Sequence, residues 1–360
     1  MKLPSLFFSL ITLTICFPSL AQTPSSIEAV EYDPASNSWY VSNGSQTMLV
    51  TSDAGQSWDY FGAAHATHGM EVVGDYLYAI NSNLLACYDL ASGYTVSTQS
   101  VTGAGFLNGM GSHGNTLVIS DFGTGRLLKV DISDPMNMVV STLVAYTGTT
   151  PNGVVIDADG SRAVVVNWGG NADILGVDVE TGAMTTLLDG SGLGNCDGVD
   201  VDSEGNYYVS SWTPNRITRF SPDFSESEIV VSSGLSSPAD ISYGVEIDTL
   251  AVANSGSSQV TFHSFAYTEN VREVFSEDMW VELQGDMLVF SLNQGGEYEL
   301  NSYGLNGAII SKHSVSLLAG TTRVALDRLP DGFKEGAIIS ITSSSNPEQT
   351  KSVKLGLRRF

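Results

Sequence analysis

Short runs of alternating apolar and polar residues, broken by Gly, Asp, Asn and Pro, fill the chain from about residue 25 to its end. Period-two alternation bounded by turn formers predicts β-strands. No segment of helical length sustains a 3.6-residue period, so an all-β fold is expected. Residues 199–223 show the pattern well. Val199-Asp200-Val201 reads as a strand, Asp202-Ser203-Glu204-Gly205 as a hairpin turn, and residues 207–211 as a second strand. Residues 215–220 then alternate as a third strand, with Ser221-Pro222-Asp223 as its turn.

This unit recurs six times. The clearest pair is Pro151-Asn152-Gly153-Val154-Val155-Ile156-Asp157-Ala158-Asp159-Gly160 and Cys196-Asp197-Gly198-Val199-Asp200-Val201-Asp202-Ser203-Glu204-Gly205. The residues that open the units are Glu28, His68, Asn108, Asn152, Asp197 and Ala239, at spacings of 40, 40, 44, 45 and 42. A repeat of this length built from short strands predicts a six-bladed β-propeller. Its blades fall at residues 25–64, 65–104, 105–148, 149–192, 193–235 and 236–275. Equivalent positions of successive blades face one central channel, so the six opening residues are expected to form a ring.

The repeat stops after residue 275. Segments 279–290, 296–303, 308–316, 321–326 and 337–343 then read as the strands of a small Ig-like β-sandwich. At the other end, Lys2, the apolar residues 6–17 and Ser19-Leu20-Ala21 read as a secretory signal peptide. The expected organisation is therefore a leader at 1–21, a propeller at 22–275 and a sandwich at 276–360. No other apolar run is long enough to span a bilayer.

Charge and cysteine narrow the function classes. The net charge of −24 is carried almost entirely by the first 275 residues. Nucleic acid, which needs a basic face, is not an expected partner. Beyond the leader only Cys87 and Cys196 remain, three repeats apart, and both are expected to be free and buried. Thr51-Ser52-Asp53-Ala54-Gly55-Gln56-Ser57-Trp58 resembles the Asp-box hairpin of sialidases and other propellers. Sialidase chemistry also needs clustered arginines, and the propeller has only Arg126, Arg162, Arg216, Arg219 and Arg272. Asp157-Ala158-Asp159-Gly160 resembles the start of a calcium loop but lacks the distal Glu, and so reads as a turn.

The ring carries the candidate chemistry. Glu28, Asn108, Asn152 and Asp197 offer two carboxylates and two amide carbonyls. Hard oxygen donors suit Ca²⁺, and another divalent cation would meet the same ligands. Such an ion can polarise a carbonyl or phosphoryl oxygen. The plainer reading is a water-filled channel lined by turn-forming residues, although Ala239 shows that a polar residue is not required in every blade. His65 and His68 form a His-x-x-His pair for which Cys196 is the only near candidate as a third zinc ligand, and His68 fits a proton shuttle or polar pore residue better. Asn43, Asn81, Asp121, Asn167, Ser211 and Asn254 stand where second strands end. Trp168 and Trp212 follow two of them and, with Asn167, would wall a substrate pocket above Asn152 and Asp197.

Ile27-Glu28-Ala29-Val30-Glu31-Tyr32-Asp33, Leu107-Asn108-Gly109, Pro151-Asn152-Gly153 and Asn195-Cys196-Asp197-Gly198 together resemble the SMP-30/gluconolactonase family and its six-bladed relatives, over about 240 residues. The resemblance implies that Glu28, Asn152 and Asp197 bind a metal and that Asn108 is an outer ligand or substrate contact. It also implies that Asp197 doubles as base or nucleophile when a lactone or ester opens. The chain departs from the pattern at His68, at Cys196 where the family has Pro, and in having no arginine near Asn108 for an anionic substrate. Leu329-Pro330-Asp331-Gly332-Phe333 with the basic end Lys351, Lys354, Arg358 and Arg359 resembles the C-terminal sorting domain of the type IX secretion system. That implies the secretion machinery as a partner and a secreted or cell-surface location. The leading expectation is an exported, cation-dependent lactone or ester hydrolase. The alternatives are a non-catalytic propeller resembling NHL-repeat proteins, which binds glycan or protein, and a surface protein whose ion only ties the blades together.

Overall fold

A computed structural model describes residues 22–265, 279–284, 287–292, 295–303, 309–317, 319–325, 338–343 and 350–354. The chain divides into two compact units, 1–264 and 265–360. The boundary expected at 275 falls outside the described residues.

The first unit is a six-bladed propeller. Blade one is the sheet β1(Val30–Asp33), β2(Ser38–Val41), β3(Leu49–Thr51), β4(Asp59–Tyr60). Blade two is β5(Met70–Val73), β6(Tyr76–Asn81), β7(Leu84–Asp89), β8(Thr95–Ser100), and blade three is β9(Leu107–His113), β10(Thr116–Asp121), β11(Arg126–Asp131), β12(Val139–Val144). Blade four runs β13(Thr150–Ile156), β14(Arg162–Trp168), β15(Ile174–Asp178), β16(Met184–Leu188). Blade five runs β17(Gly194–Val201), β18(Tyr207–Thr213), β19(Asn215–Phe220), β20(Ser227–Val231). Blade six has β21(Pro238–Gly244), β22(Thr249–Asn254) and β23(Gln259–Ser264).

All pairings within blades are antiparallel. The three strands read in blade five are present, and each of blades one to five gains a fourth, outermost strand. Those outer strands are largely exposed, with little alternation of burial to mark them.

Apolar faces pack blade against blade. Tyr78, Ile80 and Leu85 of blade two meet Leu107, Met110 and Leu117 of blade three. Ile27, Val30 and Trp39 of blade one meet Ala251 and Ala253 of blade six, which closes the circle. Across that last junction the Asp240 N–H donates to the Glu28 carbonyl at 3.0 Å, and the Tyr32 N–H to Ser242 Oγ at 3.1 Å. Both cysteines are free and buried. The Asp-box segment is a hairpin between β3 and β4, in which Asp53 accepts from Thr51 Oγ1, Ser57 N and Ser57 Oγ.

The second unit holds two antiparallel sheets. One is β24(Met279–Gln284), β25(Met287–Leu292), β28(Gly320–Ala325); the other is ordered β27(Ile309–Leu317), β26(Gly296–Tyr303), β29(Ile338–Ser343), β30(Thr350–Lys354). Segment 279–290, read as one strand, is a pair of strands. The leader and the motif residues 329–333, 358 and 359 lie outside the described residues.

Candidate functional site

The inner strands converge on the channel at one level. The Gly69 N–H donates to the Asn108 carbonyl of the next blade at 2.9 Å. A Cβ on Gly109 would lie 2.2 Å from the Asn152 carbonyl oxygen, one on Gly153 2.4 Å from that of Asp197, and one on Gly198 2.9 Å from that of Ala239. Each carbonyl belongs to the opening residue of the following blade. In blades two to five glycine after the opening residue is therefore required by strand-to-strand approach, whereas blades one and six carry Ala29 and Asp240 there.

Serines lock the same level. Ser120 Oγ accepts from Gly109 N and donates to the Asn152 carbonyl, and Ser210 Oγ accepts from Gly198 N and donates to the Ala239 carbonyl. Glu28, His68, Asn108, Asn152, Asp197 and Ala239 thus form one ring.

Three ring residues cluster. Asn152 is buried (1% exposed) and its Nδ2 donates to the Cys196 carbonyl at 3.2 Å. Its Oδ1 is then a buried acceptor with no donor. Burial, followed by the charge of Glu28, pushes the Asp197 carboxyl up to about 8, while Trp212 and Asn152 pull it down in part. Burial likewise raises Glu28, against a 2.7 Å hydrogen bond from Ser255 Oγ. The Trp212 indole N–H favours the ionised form of Asp197, yet it is buried and completes no hydrogen bond of ordinary geometry. Two carboxylates that resist joint ionisation and an orphaned carbonyl are the surroundings a cation would satisfy. Among the described residues no three His, Cys, Asp or Glu side chains converge closely enough to hold a metal by themselves. Any ion here would depend on the Asn carbonyls as well.

The remaining candidates divide. The Asn108 side chain lies half-buried in the ring and makes no hydrogen bond among the described residues. His68 Nδ1 hydrogen-bonds with Thr67 Oγ1 at 2.9 Å, and burial pushes its imidazole down to about 4. The ring is neutral at neutral pH and is a weaker base than the shuttle expected from sequence. In an NMR titration the His68 ring protons should keep their shifts between pH 8 and 5.5. A midpoint near the ordinary value of about 6.5 would show the imidazole to be solvated instead.

Trp168 and Trp212 pack edge to face at 5.0 Å. Asn167 differs. It is buried, Oδ1 accepts from Thr149 Oγ1 at 2.7 Å, and Nδ2 donates to the Asp173 carbonyl at 2.9 Å. Its amide is committed to holding loops, not to contacting a substrate.

Sequence reasoning missed a second, deeper set. Glu31, Glu71, Asp200 and Asp240 line a cavity of about 300 Å³ with Ser112, Val155 and Ser242. Bulges at the ring positions shift the register between Pro151 and Val154, Cys196 and Val199, and Pro238 and Ile241. One inserted residue changes the parity of the strand, so positions three beyond the ring also face the channel. Glu31, Glu71 and Asp200 stand at that offset, which is the signal that could have found them.

Three of these acids staple blades together. Glu31 accepts from Val72 N at 3.0 Å and Ser242 Oγ at 3.1 Å, Glu71 from Ser112 Oγ at 2.7 Å, and Asp200 from Tyr243 N at 2.5 Å. Burial raises all four, Glu31 to about 8 and Asp200 to about 7.

No family model matches the chain, and no curated protein does. Solved structures do. Regucalcin of Agrobacterium tumefaciens, described as a calcium-binding protein, superposes with a TM-score of 0.51 at 19% identity, over 64% of this chain and 83% of that one. A protein of unknown function from Bacteroides thetaiotaomicron gives 0.56 at 11% identity, over 67% and 70%. The β-propeller domain of Cps50 (Swd1) from Myceliophteria thermophila gives 0.52 at 10% identity, over 68% and 99%. At these identities the likeness is one of fold.

Proposed function

We propose that the ring is a divalent-cation site, suited to Ca²⁺, and that the propeller uses it to hydrolyse a small lactone or ester. The observation that carries this reading is Asn152 Oδ1, a buried acceptor without a donor beside the paired carboxyls of Asp197 and Glu28. The likeness to a structure described as calcium-binding agrees with it. Glu28, Asp197 and Asn152 Oδ1 would hold the ion, with the free amide of Asn108 at its edge. A bound cation supplies positive charge that polarises a substrate carbonyl. The protein's own part is to fix those oxygens in a ring tied together through the backbone, to shield them from water, and to hold a proton on Asp197. With an ion in place Asp197 would be ionised and could take a proton from an attacking water. Export, with residues 1–21 as leader and the C-terminal unit as sorting signal, is part of the same proposal.

Calorimetric titration of the full chain with Ca²⁺ is the test. Affinity should rise from pH 6 to pH 8.5 with proton release, because the Asp197 proton must leave. Asp197→Ala and Glu28→Ala should each weaken binding by about 100-fold or more, on the scale of about 1.4 kcal/mol per tenfold. A wild-type chain that takes up no divalent ion at either pH would overturn the reading. With the ion bound, hydrolysis of a lactone and ester series follows. Cation uptake without turnover would favour the non-catalytic alternative.

A further inference from the structure

A continuous arc of rings crosses the channel mouth. His68 meets Phe106 at 4.7 Å, Phe106 meets Phe122 at 5.5 Å, Phe122 meets Trp168 at 6.0 Å, and Trp168 meets Trp212 at 5.0 Å. Every contact is edge to face. The arc begins on a ring residue of blade two and ends at the indole beside Asp197 in blade five. Its members stand where inner strands begin and second strands end, as the pairing of Thr150 with Trp168 and of Leu107 with Asp121 requires. Phe106 is 40% exposed, an uncommon state for a ring already packed on both sides.

Most polar groups along this arc are already used, the second ring nitrogen of His68 and the Asn108 amide excepted. Asp121 accepts from Gly105 N and Phe106 N and pairs with Arg126 at 2.9 Å. Asn167 is bonded at both ends. Arg216 has a buried Nε without a partner, but its charge is felt by Cys196, which packs in the core between blades four and five. The unsatisfied Asn152 Oδ1 and Trp212 Nε1 belong to the two side chains that neighbour the Asp197 carboxyl. A polyol needs a partner for each hydroxyl it buries. Beyond His68 and Asn108 the arc has none to offer. It offers apolar ring surface, beside a strongly acidic protein that disfavours anions.

Resting on the hydrolase reading above, we infer that the mouth takes an uncharged ligand with one oxygenated reactive end and a flat apolar body, rather than a sugar-acid lactone. The oxygenated end meets Asn152, Asp197 and the Trp212 N–H, and the body lies along Phe106, Phe122 and Trp168. These three aromatic residues are then the specificity-determining ones.

Two stable amides separate this from the hydrolase reading, since neither needs turnover to report. Acetanilide stands in for phenyl acetate and gluconamide for gluconolactone. Binding to the full chain with Ca²⁺ present is read by calorimetry and by saturation-transfer NMR. Acetanilide should bind at least tenfold more tightly. Phe106→Ala and Trp168→Ala should each weaken it about tenfold without moving gluconamide, whereas Trp168→Phe should keep most of the affinity, which separates lost contact from lost folding. Gluconamide binding as well as acetanilide, no binding of acetanilide, or indifference to Phe106→Ala and Trp168→Ala overturns the inference. Should acetanilide bind in the expected pattern while phenyl acetate is not hydrolysed, the arc stands and the hydrolase reading fails. Rapid hydrolysis of gluconolactone with weak acetanilide binding gives the reverse.

Discussion

With divalent ions chelated, the protein is expected to be most stable at mildly acidic pH and to lose stability as the pH rises from about 5 to 8. The cause is the deep acid set. Glu31 is raised to about 8 and Asp200 to about 7 by burial, and Glu71 and Asp240 are raised as well. In the unfolded chain the same groups titrate near the ordinary value of about 4. Between those limits the folded state holds protons that the unfolded state has released, so unfolding becomes easier as pH rises.

The opposite sign applies to surface turn residues. Asp53 and Asp223 are held at about 2 by hydrogen bonds from neighbouring serines, and their contribution disappears as pH falls toward that value. The two sets together place the optimum between them. For the buried acids, each tenfold difference in proton affinity between folded and unfolded chain corresponds to about 1.4 kcal/mol. Several kcal/mol and a Tm change on the order of 10 °C are therefore expected between pH 5 and 8.5. Calorimetric melting in chelator at pH 5, 6.5 and 8.5 measures it. Asp200→Asn keeps the acceptor for Tyr243 N, removes the titration, and should flatten the profile. A Tm that climbs steadily to pH 8.5 would refute the assignment of these carboxyls as buried and protonated.

Gly109→Ala is expected to be among the most damaging single substitutions in the chain. Its Cβ would sit 2.2 Å from the Asn152 carbonyl oxygen and 2.8 Å from the Gly153 Cα, all backbone of the next blade. Neither can move without displacing the inner strand, and the neighbouring strands hold it in turn around a closed ring. Overpacking against rigid backbone costs about 1–3 kcal/mol and often more. A loss of about 3 kcal/mol or greater by denaturant melting is expected, together with weakened cation binding, because Asn152 itself is pushed. Gly170→Ala is the control. A Cβ there meets nothing within 4 Å and its φ is ordinary, so its effect should stay within about 0.5 kcal/mol. Equal tolerance of both changes would mean that the blades are not in the tight contact described.

The blade count and the identity of the ring residues were legible in the chain because a propeller repeats its strand pattern at a fixed period. Each repeat also carries its opening residue at a fixed place. Asn152-Gly153 and Asp197-Gly198 stand out for that reason. The outer strands were not legible, since β8, β12 and β16 are mostly exposed and only a few of their side chains, among them Val96, Val140 and Leu187, pack inward, too few to impose a regular alternation. Nor was the role of Asn167, whose neighbours Thr149 and Asp173 are drawn in by loop geometry.

What the sequence determined by itself is the all-β periodicity, the closure of six units, and a ring rich in oxygen donors. These follow from local patterning, which every strand must satisfy alone. What only tertiary structure decided is the environment of each donor. The orphaned Asn152 Oδ1, the raised carboxyl of Asp197, the depressed imidazole of His68 and the buried quartet of Glu31, Glu71, Asp200 and Asp240 exist because strands distant in sequence exclude water from the same channel. The aromatic arc likewise joins side chains of four blades. Desolvation and proximity across blades are properties of the closed circle, and no single repeat contains them.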